Sequence, residues 1–308
     1  MAMRCTERMA LRMHSGVRLA SAITLLCLAF TGCNALRLTP QTAEKPGQPA
    51  KEPALAAPSK HALRVSQFVF LYDFDLKRDL PIFKELSDLR EQVYKELSLP
   101  PAGTVVQVYL FEDRERYERF MKSKYPDLPR RRAFFVAQPH GVGGPEDLLV
   151  YTYWGDRIQE DLRHELTHAL LHSVLRDVPL WLDEGLAEYF ELPPERQGIN
   201  AQHLDHLRHN PNGPFQPNLA RLEALEQVKQ MTPAEYREAW AWVHLMLRSR
   251  PEGRSVLLGY LHQLRTNPNP GPVQPRLAAV YPALEETLVK HLDTLDVTRQ
   301  ILQTSQQE

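Results

Sequence analysis

Thiols are nearly missing from this chain: its three cysteines, Cys5, Cys27 and Cys33, all fall within the first 33 residues. The rest of the sequence can form no disulfide and offers no thiolate, so any metal it holds must be bound through histidine and carboxylate. An excess of charge is missing too. Lysine and arginine number 37 against 38 acidic residues, a formal net charge of -1, which leaves no electrostatic footprint for nucleic acid. Long apolar runs are also absent. The mostly apolar stretch Leu19 to Phe30 would make about 18 Å of helix, against roughly 30 Å of bilayer hydrocarbon. Glycine is sparse, with 14 residues against 25 prolines, and many of the prolines gather in segments that read as linkers and helix stops.

The apolar stretch follows Arg4, Arg8, Arg12 and Arg18 and precedes Thr31-Gly32-Cys33, which is the layout of a secretory signal. It resembles a bacterial lipoprotein signal. The resemblance implies loss of residues 1–32, lipid attachment at Cys33 and a cell-envelope location, at the outer membrane facing the periplasm in a Gram-negative cell, since Asn34 follows. From Leu36 to about Lys60 the chain is rich in Pro, Ala and Lys with few large apolar residues, so 33–60 reads as a disordered tether. One domain over 61–308, with a single core, is then expected from the length.

The domain opens with the strand-like Phe68 to Tyr72, an amphipathic helix from about Leu80 to Leu97 and a second strand, Val105 to Phe111. A short helix around Glu115 to Lys122 follows. Two further strands are predicted at Ala133 to Ala137 and Leu148 to Tyr153, separated by a turn holding Gly141, Gly143 and Gly144. After Gly155 the pattern is helical, with breaks near Pro193-Pro194, Pro211 to Pro217 and Asn267 to Pro275. The expected class is α+β, a small mixed sheet followed by a mostly helical half.

Asp156 and Gln159 have capping-box spacing, and the helix they would open contains His164-Glu165-Leu166-Thr167-His168. Histidines four apart share one helical face and can grip one ion, while Glu165 beside them can act as a general base on a water. A second helix, PLWLDEGLAEYFE, follows after a turn at Asp177 to Pro179.

The pair of segments, His-Glu-x-x-His and then Trp-Leu-Asp-Glu-Gly-Leu-Ala, resembles the gluzincin superfamily of metallopeptidases, above all the peptidase-MA-like proteins of bacteria. The resemblance implies a zincin-like fold and names Glu184, separated from His168 by fifteen residues, as the third metal ligand. Glu188, one turn further, is the rival ligand; the resemblance to thermolysin-like relatives otherwise gives it the task of holding the His164 imidazole. Two neutral imidazoles and one carboxylate with an open position suit catalytic zinc. On the same resemblance Tyr236, in Tyr236-Arg-Glu-Ala-Trp-Ala-Trp-Val-His, takes the place of a transition-state-stabilising tyrosine; spacing alone equally allows an ordinary core residue.

His172 reads as a packing or ligand-supporting residue, His244 as an ordinary core or surface histidine, and Arg130 to Arg132 as a solvated loop. The expected activity is hydrolysis of peptide bonds in a peptide or protein substrate. The edge strand Ala133 to Ala137 would bind the extended chain. A non-catalytic envelope scaffold and a hydrolase of non-peptide amides are the competing readings.

Overall fold

The computed structural model describes residues 55–139, 146–211 and 213–296. The chain runs β1 (His61–Val65), β2 (Phe68–Tyr72), α1 (Pro81–Glu96), β3 (Val106–Phe111), α2 (Arg114–Lys124), β4 (Ala133–Pro139) and β5 (Glu146–Tyr153). Helices then follow without further strands among the described residues: α3 (Ile158–His172), α4 (Leu180–Phe190), α5 (Ala201–Arg208), α6 (Leu219–Glu223), α7 (Pro233–Arg248), α8 (Pro251–Leu264), α9 (Gln274–Val280) and α10 (Leu284–Thr294). The class is α+β, with one mixed five-stranded sheet in the order β1-β2-β3-β5-β4.

Parallel neighbours need a crossover, and α1 supplies it between β2 and β3, while α2 lies on the route from β3 to β5. The outer pairs β1–β2 and β4–β5 are antiparallel, which leaves β4 at one edge of the sheet. Alternation along β5 explains the layering: Leu148 and Val150 face the main core with α1 and α3, whereas Leu149, Tyr151 and Tyr153 face a second apolar cluster under α2. The expectation of a single core is therefore corrected, because both faces of the sheet are covered.

Strand β1 was not expected. It is five residues long with only Leu63 and Val65 turned to the core about exposed Arg64, too short an alternation to read as a strand; it pairs with β2 through a tight turn with Ser66 at φ 56. The domain also begins earlier than 61. Leu55 and Ala57 pack on the second cluster, and the Ser59 and Lys60 amides both donate to Asp73 Oδ1 at 2.8 Å. Cys33, the signal-like segment and the Gly141 to Gly144 turn lie outside the described residues.

The expected capping box at the start of α3 is not formed. Asp156 instead accepts from Arg132 Nη2 at 3.0 Å, Gln159 donates to Glu85, and the helix starts at Ile158 without a side-chain cap. The charged guanidinium is the strongest partner of that carboxylate, which points away from the third helical amide.

Candidate metal centre

Helices α3 and α4 lie against each other as an antiparallel pair, so residues early in α3 meet residues late in α4. His168 comes beside Asp183 and Glu184 at the head of α4, and His164 beside Glu191 at its tail. Two features fix this crossing. The buried Arg163 donates to the carbonyls of Phe190, Glu191 and Leu192 at 3.1, 3.1 and 2.7 Å, satisfying the C-terminal end of α4, where a cation is favoured. Gly185 lets α4 press on α7: a Cβ there would lie 2.6 Å from the Ala239 carbonyl oxygen.

The two histidine Nε2 atoms converge on one oxygen. His164 Nε2 and His168 Nε2 are each 3.3 Å from Glu184 Oε2, and the donor atoms of His164, His168 and Glu184 all lie within 4.8 Å of one another. Glu184 is fully buried and His168 is 2% exposed, yet His168 Nε2 and both Glu184 oxygens find no partner in hydrogen-bond geometry. Buried polar atoms left this way are costly unless a further group meets them. These three residues could hold a divalent cation.

The second nitrogen of each imidazole faces a carboxylate. His168 Nδ1 is 3.1 Å from Asp183 Oδ1, whose other oxygen is 2.9 Å from His172 Nε2. His164 Nδ1 is 3.1 Å from Glu191 Oε2, and Asn200 Nδ2 steadies the other Glu191 oxygen at 3.1 Å. The expectation that Glu188 holds His164 is thus corrected. Glu188 pairs with His203 Nε2 at 2.7 Å, because the antiparallel crossing carries His164 beyond it to Glu191. Glu188 and Glu191 also form a group with His164 that could bind a cation, but His168 is not part of it.

Burial opposes charge on both imidazoles, but the surrounding carboxylates win. His164 is held well above the usual imidazole range by Glu184 and Glu191, and His168 is raised to about 10 by Asp183 and Glu184. Asp183 and Glu184 are correspondingly lowered against their own burial. Glu165, next to His164 and also buried, has its proton affinity raised by desolvation, which the neighbouring imidazoles partly offset.

Of Arg130 to Arg132 only Arg130 is exposed as expected of a solvated loop; the other two are partly buried and bonded. Arg131 Nη2 donates to the Tyr236 hydroxyl at 2.6 Å while Nη1 lies 3.8 Å from Glu184 Oε1, and Arg132 Nε reaches Asp161 Oδ2 at 2.9 Å. Tyr236 stands at the start of α7, where Thr232 and Glu235 form a capping box with Pro233 at the first helical position. It borders a cavity with His164 and Glu165, and burial pushes its hydroxyl pKa well up. His244 is an interior residue on the far side of α7, its Nδ1 2.9 Å from His291 Nε2.

Asp183, Glu191 and Arg163 were not singled out from the sequence, and Arg131 was set aside as part of a solvated loop. Asp183 had one available signal: a ligating histidine needs an acceptor for its second nitrogen, and an acidic residue stands directly before Glu184. The other three act across 27 or more positions, so local spacing carried none. No family model matches the chain, and no curated protein matches it.

Proposed function

We infer that the chain is a zinc-dependent peptidase of gluzincin type, with His164, His168 and Glu184 as ligands and Glu165 as general base. The observation that carries this reading is the donor spacing. Ligand bonds of about 2.0–2.1 Å in tetrahedral zinc put neighbouring donor atoms roughly 3.3 Å apart. Both imidazole nitrogens stand at that distance from Glu184 Oε2.

When bound, zinc acidifies a water and polarises a substrate carbonyl. The remaining work belongs to the chain. Glu165 takes a proton from the attacking water and delivers it to the leaving amide nitrogen; its raised proton affinity suits both transfers. Tyr236 and Arg131, bonded to each other and with Arg131 3.8 Å from Glu184 Oε1, donate to the carbonyl oxygen as negative charge develops there. Glu191 holds the His164 imidazole and Asp183 stands 3.1 Å from His168 Nδ1 to orient the second ring, and the edge of β4 that is unpaired among the described residues supplies main-chain bonds for an extended peptide. A zincin-like arrangement of sheet and site helices is part of this reading. So is a membrane tether through Cys33, for which fatty-acid labelling lost in Cys33→Ser is the check; no helix among the described residues is long and apolar enough to cross a membrane.

The test is a pair of measurements on zinc-supplemented protein. Elemental analysis should find about one zinc per chain, lost in His164→Ala and His168→Ala. Glu165→Gln should keep the metal while peptide hydrolysis falls by about two orders of magnitude or more. Full activity in Glu165→Gln, or zinc retained without the histidines, sinks the assignment. Metal binding without cleavage of any peptide library would favour the scaffold.

A further inference from the structure

Helix α3 carries a third histidine on the face that meets α4. His164, His168 and His172 recur every four residues, and the last stands one turn beyond the proposed ligands. His172 Nε2 lies 2.9 Å from Asp183 Oδ2 in hydrogen-bond geometry, while Asp183 Oδ1 is 3.1 Å from His168 Nδ1. The second approach is close but misaligned: neither Asp183 Oδ1 nor His168 Nδ1 completes a hydrogen bond. Asp183 is buried in the first turn of α4, where the helix dipole favours its charge. A buried carboxylate takes its orientation from the donors that reach it, and the aligned side-chain donor among the described residues is His172. Phe135 of β4 packs on both imidazoles, its ring centroid 5.2 Å from that of His172 and 6.1 Å from that of His168.

We propose that His172 is a positioning residue for the centre: it holds Asp183 by one oxygen so that the other stays against His168, and through that carboxylate it fixes the ring that presents Nε2 beside Glu184. This rests on the metal assignment above and adds a layer to it. A ligating imidazole is oriented by the partner of its second nitrogen, and that partner in turn by its own hydrogen bonds. The other ligand shows the same layering. Asn200 Nδ2 donates to Glu191, which holds His164, as His172 donates to Asp183, which faces His168. The difference is one of origin: Asn200 comes from the start of α5, whereas His172 belongs to the same helix as the ligand it serves. Asp183 and His168 both border the cavity that Phe135 and Met231 help to wall, so a carboxylate released by His172 has space to turn away from the ring.

Zinc affinity, read by competition against a chromophoric chelator, separates this role from mere packing. Loss of a group that orients a ligand costs about 10- to 100-fold, and His172, acting through Asp183, belongs at the lower end. His172→Phe, which keeps a ring but loses the donor, should weaken zinc binding about tenfold. His172→Gln, whose amide nitrogen can reach the same oxygen, should stay close to wild type. In an Asp183→Ala background the two substitutions should make no further difference, because the carboxylate they act on is gone. Equal affinity in wild type and His172→Phe, or the same loss in both backgrounds, overturns the proposal and leaves the metal assignment intact. His172→Leu takes the place of the Phe variant if the latter does not fold. A wild-type protein that binds no zinc refutes the metal assignment instead. The chain from His172 to His168 is then judged by nitrogen NMR of the His168 ring in the metal-free protein: resonances displaced in His172→Phe and restored in His172→Gln support it, and unmoved resonances reject it.

Discussion

At the scale of single residues, the two carboxylates beyond Glu184 are separated by what they touch. Glu191 holds His164 Nδ1, whereas Glu188 holds His203, which is not a ligand in the proposed centre. Removing a group that orients a ligating imidazole costs about 10- to 100-fold in metal affinity. Competition against a chromophoric chelator should therefore rank Glu184→Ala as abolishing tight zinc binding, Glu191→Gln as weakening it by that factor, and Glu188→Gln as the mildest. A larger loss at Glu188 than at Glu191 would mean that the helices cross in a different register. The first tier of the centre was legible because its chemistry is local. His164, Glu165 and His168 share one helical face, and Glu184 follows within a short connection. The groups that orient them were not, because Glu191 and Arg131 are assigned by the crossing of distant elements, and nothing in their own neighbourhoods marks them.

Among the elements, the contact of α4 with α7 bears most on the centre, since it sets Glu184 against Tyr236 and Arg131. Gly185 makes that contact possible, with backbone of Ala239 where a Cβ would stand. Ala has the higher helix propensity, yet here the overpacking should dominate, at about 1–3 kcal/mol. Gly185→Ala is expected to lower Tm by about 3–10 °C and to weaken zinc binding as Glu184 is displaced, both readable by scanning calorimetry with and without the ion. An unchanged Tm would show that the helices can separate freely. Most strands and helices of the first half were legible from periodicity, and α3 and α4 from their apolar faces. The misses share a cause, too little local signal: β1 offers only Leu63 and Val65 as a core-facing pair, and Asp156 is bonded to Arg132, a partner that no local pattern discloses.

Across the whole molecule, α10 is fastened to α7 through a pair of interior imidazoles, His244 and His291. Burial lowers both, to about 3 and about 4, with their mutual repulsion and Arg248 adding to the effect on His244. In the unfolded chain both would titrate near 6.5. Below that pH the unfolded state therefore takes up protons that the folded state refuses, and stability is lost as pH falls from about 6.5 towards 4, by up to about 1.4 kcal/mol per pH unit for each group. Urea midpoints should drop more steeply between pH 7 and 5 in wild type than in His291→Gln, and NMR should find neither ring titrating above pH 5; parallel slopes would refute the assignment. The covering of both sheet faces belongs to this scale too, and it was hidden because Tyr109, Tyr151 and Tyr153 read equally well as surface or interior. One last consequence follows from the helical hairpin. Every donor atom of the centre comes from a span of 21 consecutive positions, His164 to Glu184, whereas Arg131 reaches it from 33 positions upstream and Tyr236 from 52 downstream. Contacts of low sequence separation form first during folding. If the proposed centre is right, the nascent chain would be able to capture an ion before the groups proposed to use it are in place, and a partly folded species would be loaded but inert.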